Sequence, residues 1–523
     1  MTPAAPQAGV EVVAALIAAG VRDAVVSPGS RSAPLARALA AAEQAGVIRL
    51  HVRVDERSAG FLALGMARVT GVPAAVVCTS GTAVANLMPA VVEARYSGVP
   101  LVVLTADRPP EARGRGASQT IDQVDIFGRF PLGSRDLAVP ESEEWSAHLV
   151  GDFVALAARA RGPVHLNLPF RPPLVSELAA RPAAAPADVG SARLPRSARP
   201  DLGEVPARGA ILAGDIDAWD DTTRDRLLDL AADLGWPIVA EASSGLLGAP
   251  GVVPGGTALL ADPQNRDALA ADLIVTVGPF GLDRGVLAWV RAAGRHVAVR
   301  LRPRTDPPDP LATAEAVLAD VPTAHVSSPD SSWASEWSTR VAPASDEWGV
   351  GAVAAEVWSQ LTPDDLLVVA SSTSIRALAE GARGPGPQVI ANRGANGIDG
   401  LVSTAWGAAA AWQRGRTVAL LGDLAFLHDS NGLLVPSSEP RPDLTLVVAD
   451  NNGGGIFSTL EQGGAAYADT FERIFGTPHD RDLTALLAAH RVATVQVDDS
   501  AGLSRALVPA PGVNAVVVRG LHR

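Results

Sequence analysis

The chain reads as an α/β protein of parallel sheets flanked by helices, and three observations predict this. Short apolar, β-branched runs alternate with helical patterns over residues 1–170, and the alternation returns over 348–523. Two strands near the C-terminal end, Thr417–Leu421 and Leu444–Val448, stop at polar clusters, Gly422-Asp423 and Asp450-Asn451-Asn452-Gly453. Parallel order brings such ends to one sheet edge, where open α/β folds receive ligands. The length of 523 residues exceeds one ordinary domain. Three are expected, over 1–180, 200–330 and 345–523.

Taken in order, the run Val10–Ala19 is interrupted by Glu11 and lacks a basic flank, so it reads as a helix and not as a signal peptide. Asp23–Val26 is a strand leading into Ser27-Pro28-Gly29-Ser30-Arg31, followed by a helix over Ala33–Gln44. Ile48–Val54 reads as strand and Glu56–Val69 as helix. The apolar run Ala74–Cys78 reads as a buried strand whose end, Thr79-Ser80-Gly81-Thr82, caps a helix over Ala83–Tyr96. Pro100–Thr105 is the next strand. Repeated βα units of this kind imply a sheet covered on both faces. From Arg171 to Ala207 the chain is rich in Pro, Ala and Arg and reads as a linker. Strands near Ala210–Leu212, Ile238–Ala240, Leu273–Val277 and His296–Arg300 form a middle segment with no obvious chemical motif. A second loose stretch, Asp306–Glu347, marks the next boundary.

Composition narrows the function. All basic residues are Arg, and the net charge of −13 argues against nucleic acid or an anionic membrane as partner. A single Cys, Cys78, excludes an internal disulfide and reads as a buried structural thiol. No stretch offers the roughly 18 uncharged apolar residues that span a bilayer. A cytoplasmic protein without membrane insertion is expected.

The chemistry begins at the two polar strand ends. A carboxylate, an amide oxygen and a glycine-rich backbone are hard oxygen ligands suited to Mg²⁺, which commonly keeps positions for phosphates. A Gly-Asp followed after 27 residues by Asn-Asn resembles the motif of thiamine diphosphate (ThDP) enzymes. Glu56, opening a helix directly after a strand, is the second key position. Any carboxylate is favoured at a helix N-terminus, yet Glu56 also matches the place where that family puts its aminopyrimidine-activating glutamate. Longer motifs sharpen the resemblance: "SPGSRSAPLA", "TSGTAVANLMPAVVEA", "LTADRPPE", "NRGANGIDGLVSTAWG", "GDLAFLHDSNGLL" and "DNNGGGIF". Together they are similar to the 2-succinyl-5-enolpyruvyl-6-hydroxy-3-cyclohexene-1-carboxylate (SEPHCHC) synthases of menaquinone biosynthesis. The resemblance runs through the first and third segments and thins in the middle one.

The resemblance implies a three-domain ThDP-enzyme fold, with the first domain binding the pyrimidine and the third the diphosphate and metal. It implies ThDP with Mg²⁺ (or Mn²⁺), decarboxylation of 2-oxoglutarate, and addition of the succinyl carbanion to isochorismate with loss of CO₂ only. Matched position by position, Asp423, Asn451 and the Gly453 carbonyl would hold the metal, with Gly422 and Ile456 beside the cofactor. Glu56 would activate the pyrimidine. Ile398 would prop the cofactor bent, unless it is simply a core residue. Both substrates are dicarboxylates, and the planar fork of Arg pairs with carboxylates through two hydrogen bonds. The substrate candidates are Ser30, Arg31, Arg108, Gln119, Ser372, Arg376 and Arg393, with Arg284 from the middle segment. Ser30, Arg31 and Arg393 join Glu56 as the expected catalytic group. Arg376 follows Ser372 by four, which places both on one helical face. Phe457 and Leu460, with Ile456, would form an apolar wall near the succinyl chain. Ser118 stands where family relatives can carry Asn. His428 reads as a packing or loop contact, and the histidines show no metal-ligand spacing. The family builds each site from Glu56 of one chain and the metal motif of another, so a homodimer or higher homo-oligomer is expected.

Two rivals remain. Another ThDP 2-oxo acid decarboxylase or carboligase, of the acetolactate synthase kind, would leave several of these cations unpaired. A non-catalytic nucleotide-binding protein would need neither Glu56 nor the Asp423/Asn451 pair. The glycines of Gly394–Gly400 lack dinucleotide spacing.

Overall fold

The computed structural model describes residues 4–176, 199–302, 308–343 and 347–522. Nineteen strands order these residues. The first six are β1 Asp23–Val26, β2 Arg49–Val52, β3 Ala74–Cys78, β4 Leu101–Asp107, β5 Ser134–Asp136 and β6 Pro163–Pro169. They form one parallel sheet in the order β2-β1-β3-β4-β6-β5. A middle group follows: β7 Asp201–Glu204, β8 Gly209–Ala213, β9 Ile238–Ala240, β10 Leu273–Val277, β11 Arg295–Val299, β12 Ala316–Leu318 and β13 Thr323–His325. Five of these make a second parallel sheet, β12-β11-β10-β8-β9, while β7 pairs with β13. The last six are β14 Leu366–Val369, β15 Gln388–Ile390, β16 Thr417–Gly422, β17 Leu444–Ala449, β18 Ala493–Val497 and β19 Val513–Val518. They form a third parallel sheet, β15-β14-β16-β17-β19-β18.

The residues fall into two compact units. One joins the N-terminal region to Asn392–Trp412 and His428–Pro442, and the other holds the middle region, Gln413–Leu427 and the chain from Asp443 onward. In the second unit one apolar cluster runs continuously from the second sheet (Ile211, Val275) to the third (Leu367, Val447). The central strands β3, β4, β8, β10 and β17 are buried at every residue. That is the expected consequence of covering both faces of a parallel sheet.

Helix α1 (Ala4–Ala18) buries Leu16 and Ile17 in the first core, as its apolar run predicts. Helix α2 (Ala33–Gln44) has the predicted bounds, and α3 (Glu56–Thr70) runs one residue past its expected end. Residues 58–69 of α3 are all buried, because the helix is sandwiched by protein on every side. Its closest neighbour is the helix Leu401–Ala411 of the same unit. A side chain at Gly65 would lie 2.2 Å from the Thr404 carbonyl oxygen, and one at Gly407 would lie 2.0 Å from that of Leu62. Only glycine lets these backbones meet.

Three expectations are corrected. The helix over Ala83–Tyr96 is two helices, α4 (Thr82–Ala85) and α5 (Met88–Ser97), because Pro89 has no N–H to bond the carbonyl four residues back. Its N-cap is Gly81, which supplies no side-chain cap. The stretch Asp306–Glu347 is not loose among its described residues: it holds β12, β13 and the helix Trp333–Ser338. Trp333 and Trp337 are fully buried, with Trp337 edge-on to Trp289 at 5.5 Å. The linker of 171–207 likewise ends in β7, while its residues 177–198 lie outside the described residues, as do 303–307 and 344–346.

Candidate active site

All strands of the first sheet are parallel, so the loops after β1, β2, β3, β4 and β6 share one edge. The order in which strands are added reverses between β1 and β3, and there the two loops touch: a side chain at Gly29 would lie 2.3 Å from Thr79 Cβ. Arg31 crosses this edge and donates to the Phe170 carbonyl, beyond β6, at 2.6 Å. Burial, together with the charge of Arg108, depresses the pKa of Arg31. The two guanidiniums therefore feel each other, which is an arrangement an anion relieves. Arg108 also donates to the Ser118 carbonyl at 3.1 Å, so Ser118 meets it through its backbone. Gln119 sits in the left-handed region (φ 56°) and donates to the Ser80 carbonyl at 3.0 Å. Ser30 is exposed beside Arg31.

A buried network that sequence reading missed holds these loops. Gln123, fully buried, accepts the Gly81 N–H at 3.2 Å and donates to the Ala106 carbonyl at 3.0 Å and to Asn167 Oδ1 at 2.7 Å. Asn167 in turn donates to Asp107 and Asp136. One amide thus ties the ends of β3, β4 and β6. No local motif announces it, since its partners lie 17–44 residues away.

Glu56 occupies the first turn of α3. The N-cap is Asp55, whose Oδ1 accepts the N–H groups of Arg57 (2.9 Å) and Ser58 (3.3 Å). Asn431 donates to the other Asp55 oxygen at 3.1 Å, and Arg57 donates to the His428 carbonyl at 2.8 Å. With its neighbour capping the helix, Glu56 is spared that task. His428 makes this contact through its backbone carbonyl, at the end of a helix rather than in a loop. Arg393 and Ile398 belong to this same unit. Arg393 donates to Asn396 Oδ1 at 2.5 Å, and Ile398 is 41% exposed, so core packing does not account for it.

The other unit carries the predicted ligand set on the edge of the third sheet. Asp423, at the end of β16, is 2% exposed, and burial raises its pKa. Its Oδ2 accepts the Gly453 N–H at 2.8 Å. A terminal atom of the Asn451 amide lies 2.9 Å from the Gly453 carbonyl oxygen and 3.3 Å from Asp423 Oδ2. Placed as NH₂, it donates to both; placed as oxygen, the same atoms become three converging acceptors that only a cation reconciles. Octahedral Mg²⁺ with bonds of about 2.1 Å needs ligand oxygens roughly 3 Å apart. Those spacings match. Gly453 is at φ 137°, and a side chain there would lie 2.1 Å from the Gly476 carbonyl oxygen, so glycine is required. Gly422 completes the turn at the end of β16.

His479 was not anticipated. Its Nε2 lies 3.3 Å from Asp423 Oδ2 and 3.6 Å from Asp450 Oδ1. It arrives because Asn452 (φ 59°) accepts the N–H groups of His479 and Asp480 at 3.0 and 2.9 Å. Asp423, Asp450 and His479 thus form an alternative ligand cluster. Imidazole suits Zn, Cu, Fe and Ni, whereas carboxylate and carbonyl oxygens suit Mg²⁺ and Mn²⁺, so the oxygen trio is the better Mg²⁺ or Mn²⁺ site, with His479 steadying Asp423 from outside.

Other candidates in this unit are less concentrated. Ser372 is not on the helix face of Arg376; it is the N-cap of Thr373–Gly381, at φ 79°. Arg376 donates to the Ser372 and Leu282 carbonyls, both at 2.6 Å, and pairs with Asp283 at 3.3 Å. Much of its hydrogen-bonding capacity is spent inside the protein. Arg284 is 78% exposed and 3.9 Å from Glu461. Ile456 and Phe457 lie in the short helix Gly455–Thr459, which Leu460 ends, and the Phe457 ring meets that of Phe475 at a tilt, 5.7 Å between centroids.

Residues 7–126 match the family model described as thiamine pyrophosphate enzyme, N-terminal TPP binding domain. The chain is also similar over almost its whole length to proteins named 2-succinyl-5-enolpyruvyl-6-hydroxy-3-cyclohexene-1-carboxylate synthase. The one from Thermobifida fusca is 43% identical, over 96% of this chain and 93% of its own. Those from Rhodococcus opacus and a Nocardioides species are each 42% identical, over 94% and 98% of this chain and 91% and 95% of theirs. The chain belongs to the SEPHCHC synthase family. It is therefore a transferase of the ThDP-dependent class, with the α/β fold of that class. Among the described residues no helix is long and apolar enough to cross a membrane.

Proposed function

We propose that this chain decarboxylates 2-oxoglutarate and joins the remaining succinyl unit to isochorismate, releasing CO₂ and yielding SEPHCHC for menaquinone biosynthesis. The observation favouring it over other ThDP chemistry is the Arg31–Arg108 pair on the sheet edge shared with Glu56. Two adjacent guanidiniums suit dicarboxylates; a monocarboxylate would leave one unpaired.

ThDP, when bound, supplies the carbon centre at which a 2-oxo acid loses CO₂. The protein's contribution is placement and charge. Asp423, Asn451 and the Gly453 carbonyl would hold the divalent ion that anchors the cofactor's diphosphate. Glu56, left free because Asp55 caps the helix, would offer its carboxyl group to the cofactor's aminopyrimidine ring. Ile398, from its exposed position, would support the bound cofactor. Arg31, Arg108 and Arg393 bind substrate carboxylates, with Ser30 and Gln119 as hydrogen-bonding neighbours; Ser372, Arg376 and Arg284 extend this cationic lining. Ile456, Phe457 and Leu460 give the succinyl methylenes an apolar wall. Each site draws Glu56 from one chain and the metal trio from a second, making a homodimer the smallest active form, in the cytoplasm. The three sheets correspond to pyrimidine-binding, central and diphosphate-binding domains.

The test is a mass-spectrometric assay with isochorismate, 2-oxoglutarate, ThDP and Mg²⁺, each omitted in turn. A succinylated adduct formed only in the complete mixture supports the proposal. Decarboxylation without an adduct rejects the acceptor; no turnover with ThDP bound rejects the donor.

A further inference from the structure

The loop that carries Arg393 toward Ile398 is held by one buried side chain on a different part of the fold. Glu93, on α5, is 2% exposed. Its Oε1 accepts the Gly394 N–H at 2.8 Å, and its Oε2 accepts the Ala395 N–H at 2.6 Å. Ser97, one turn further along α5, donates its hydroxyl to Oε1. The loop is also pressed against the helix backbone. A side chain at Gly394 would lie 2.6 Å from both the Glu93 carbonyl oxygen and the Ser97 nitrogen.

A carboxylate withdrawn from water is costly unless donors replace the lost hydration. Here three donors do so, and two are consecutive backbone amides. Fixing two successive peptide planes fixes the direction in which the chain leaves Arg393 on one side and enters Asn396 on the other. Asn396 takes a left-handed conformation (φ 57°) and accepts from Arg393 Nη1 at 2.5 Å. The guanidinium is thereby folded onto the same short loop that Glu93 clamps. An apolar residue would pack α5 equally well but could not orient these amides.

We propose that Glu93 is a positioning residue: through the Gly394 and Ala395 amides it sets the Arg393 guanidinium where substrate carboxylate meets it. Glu93 touches no substrate itself. The inference rests on the reading of Arg393 as a substrate-binding residue.

Glu93→Gln tests this at nearly constant volume. A Gln amide accepts through one atom only, so its NH₂ would face a backbone N–H, donor against donor. The expected result is a rise in KM for one of the two acids, on the order of 10- to 100-fold, the scale of one lost charge-assisted hydrogen bond, with kcat less affected. The deciding measurement is the cycle with Arg393→Ala. If Glu93 acts through Arg393, the double variant is within about twofold of Arg393→Ala alone, because coupled residues are non-additive. Should Glu93→Gln fail to fold, Gly394→Ala lifts the same loop without touching the carboxylate, and the same KM rise is expected. Wild-type kinetics in Glu93→Gln or, failing that, in Gly394→Ala, or multiplicative losses in the double variant, overturn the role of Glu93. If Arg393→Ala alone leaves KM and kcat unchanged, the reading of Arg393 falls, and this inference with it. An impaired Arg393→Ala beside a normal Glu93→Gln removes only Glu93.

Discussion

The first and third sheets are wound identically and armed oppositely. Counting strands within each, both run 2-1-3-4-6-5, all parallel. The carboxyl edge of the first presents Arg31 and Arg108, with Glu56 after its outermost strand; that of the third presents Asp423, Asp450 and the oxygens of Asn451 and Gly453. Topology therefore decides where a site lies, and the few residues after each strand decide what it binds. The second sheet sharpens the lesson. Its strands run 2-1-3-4-5 read from the β9 edge, so it has the same switch point between β8 and β10. There the protein fills its own crevice. The Asp215 N–H bonds the Pro279 carbonyl at 2.7 Å, and a side chain at Gly214 would lie 2.1 Å from that oxygen. Arg302, 3% exposed, bridges Asp215 and Asp217 at 3.0 and 2.8 Å across the same edge.

This contrast can be broken in several places. The largest expected effect is on turnover. Glu56→Gln, at the activating edge, and Asp423→Ala, at the binding edge, should each lower kcat/KM by several orders of magnitude in a steady-state assay. Next comes Arg302→Met, which removes the buried guanidinium that both carboxylates pair with and should cost roughly 3–5 kcal/mol in urea unfolding. A loss below about 1 kcal/mol would show that water already reaches the second sheet's crevice. Gly65→Val should cost about 1–3 kcal/mol by forcing α3 from Leu401–Ala411, seen as a lower Tm; an unchanged Tm contradicts the close crossing.

The last expected effect is a pH slope to which two buried histidines of the first unit contribute. Burial pushes His51 and His165 each down to about 4 from 6.5. The folded state refuses protons that the unfolded chain accepts, so this stability is complete above pH 6.5 and is lost as pH falls toward 4. Each should forfeit about 2 kcal/mol by pH 5. Asp429, pushed up to about 6 from 3.8 chiefly by burial, acts in the opposite sense between those values and offsets part of the loss. Tm measured from pH 7 to 5 should fall, and His51→Gln should flatten the slope.

Much of this was legible in the sequence, for identifiable reasons. Buried parallel strands such as Ala74–Cys78 and Leu273–Val277 are read to the residue because covering both faces demands an unbroken apolar run. That Asp423 and Gly453 meet at one sheet edge is legible because each follows one of two paired parallel strands. Pro89 is the local sign of the helix break within Ala83–Tyr96. The i, i+4 pair Trp333/Trp337 is likewise a local sign of a buried helix within Asp306–Glu347. Glu93, Gln123 and His479 were not legible, since each meets partners through tertiary folding alone. Glu93 lies 301 residues from the amide it holds at Gly394, and His479 lies 56 from Asp423.

The most direct test of the contrast between a binding edge and an activating edge is calorimetric titration of ThDP in saturating Mg²⁺ into the wild type, Glu56→Gln and Asp423→Ala. Binding retained within about tenfold of wild type in Glu56→Gln, worth no more than roughly 1.4 kcal/mol, and abolished in Asp423→Ala is the predicted result. Equal loss in both variants, or unchanged binding in Asp423→Ala, would contradict it.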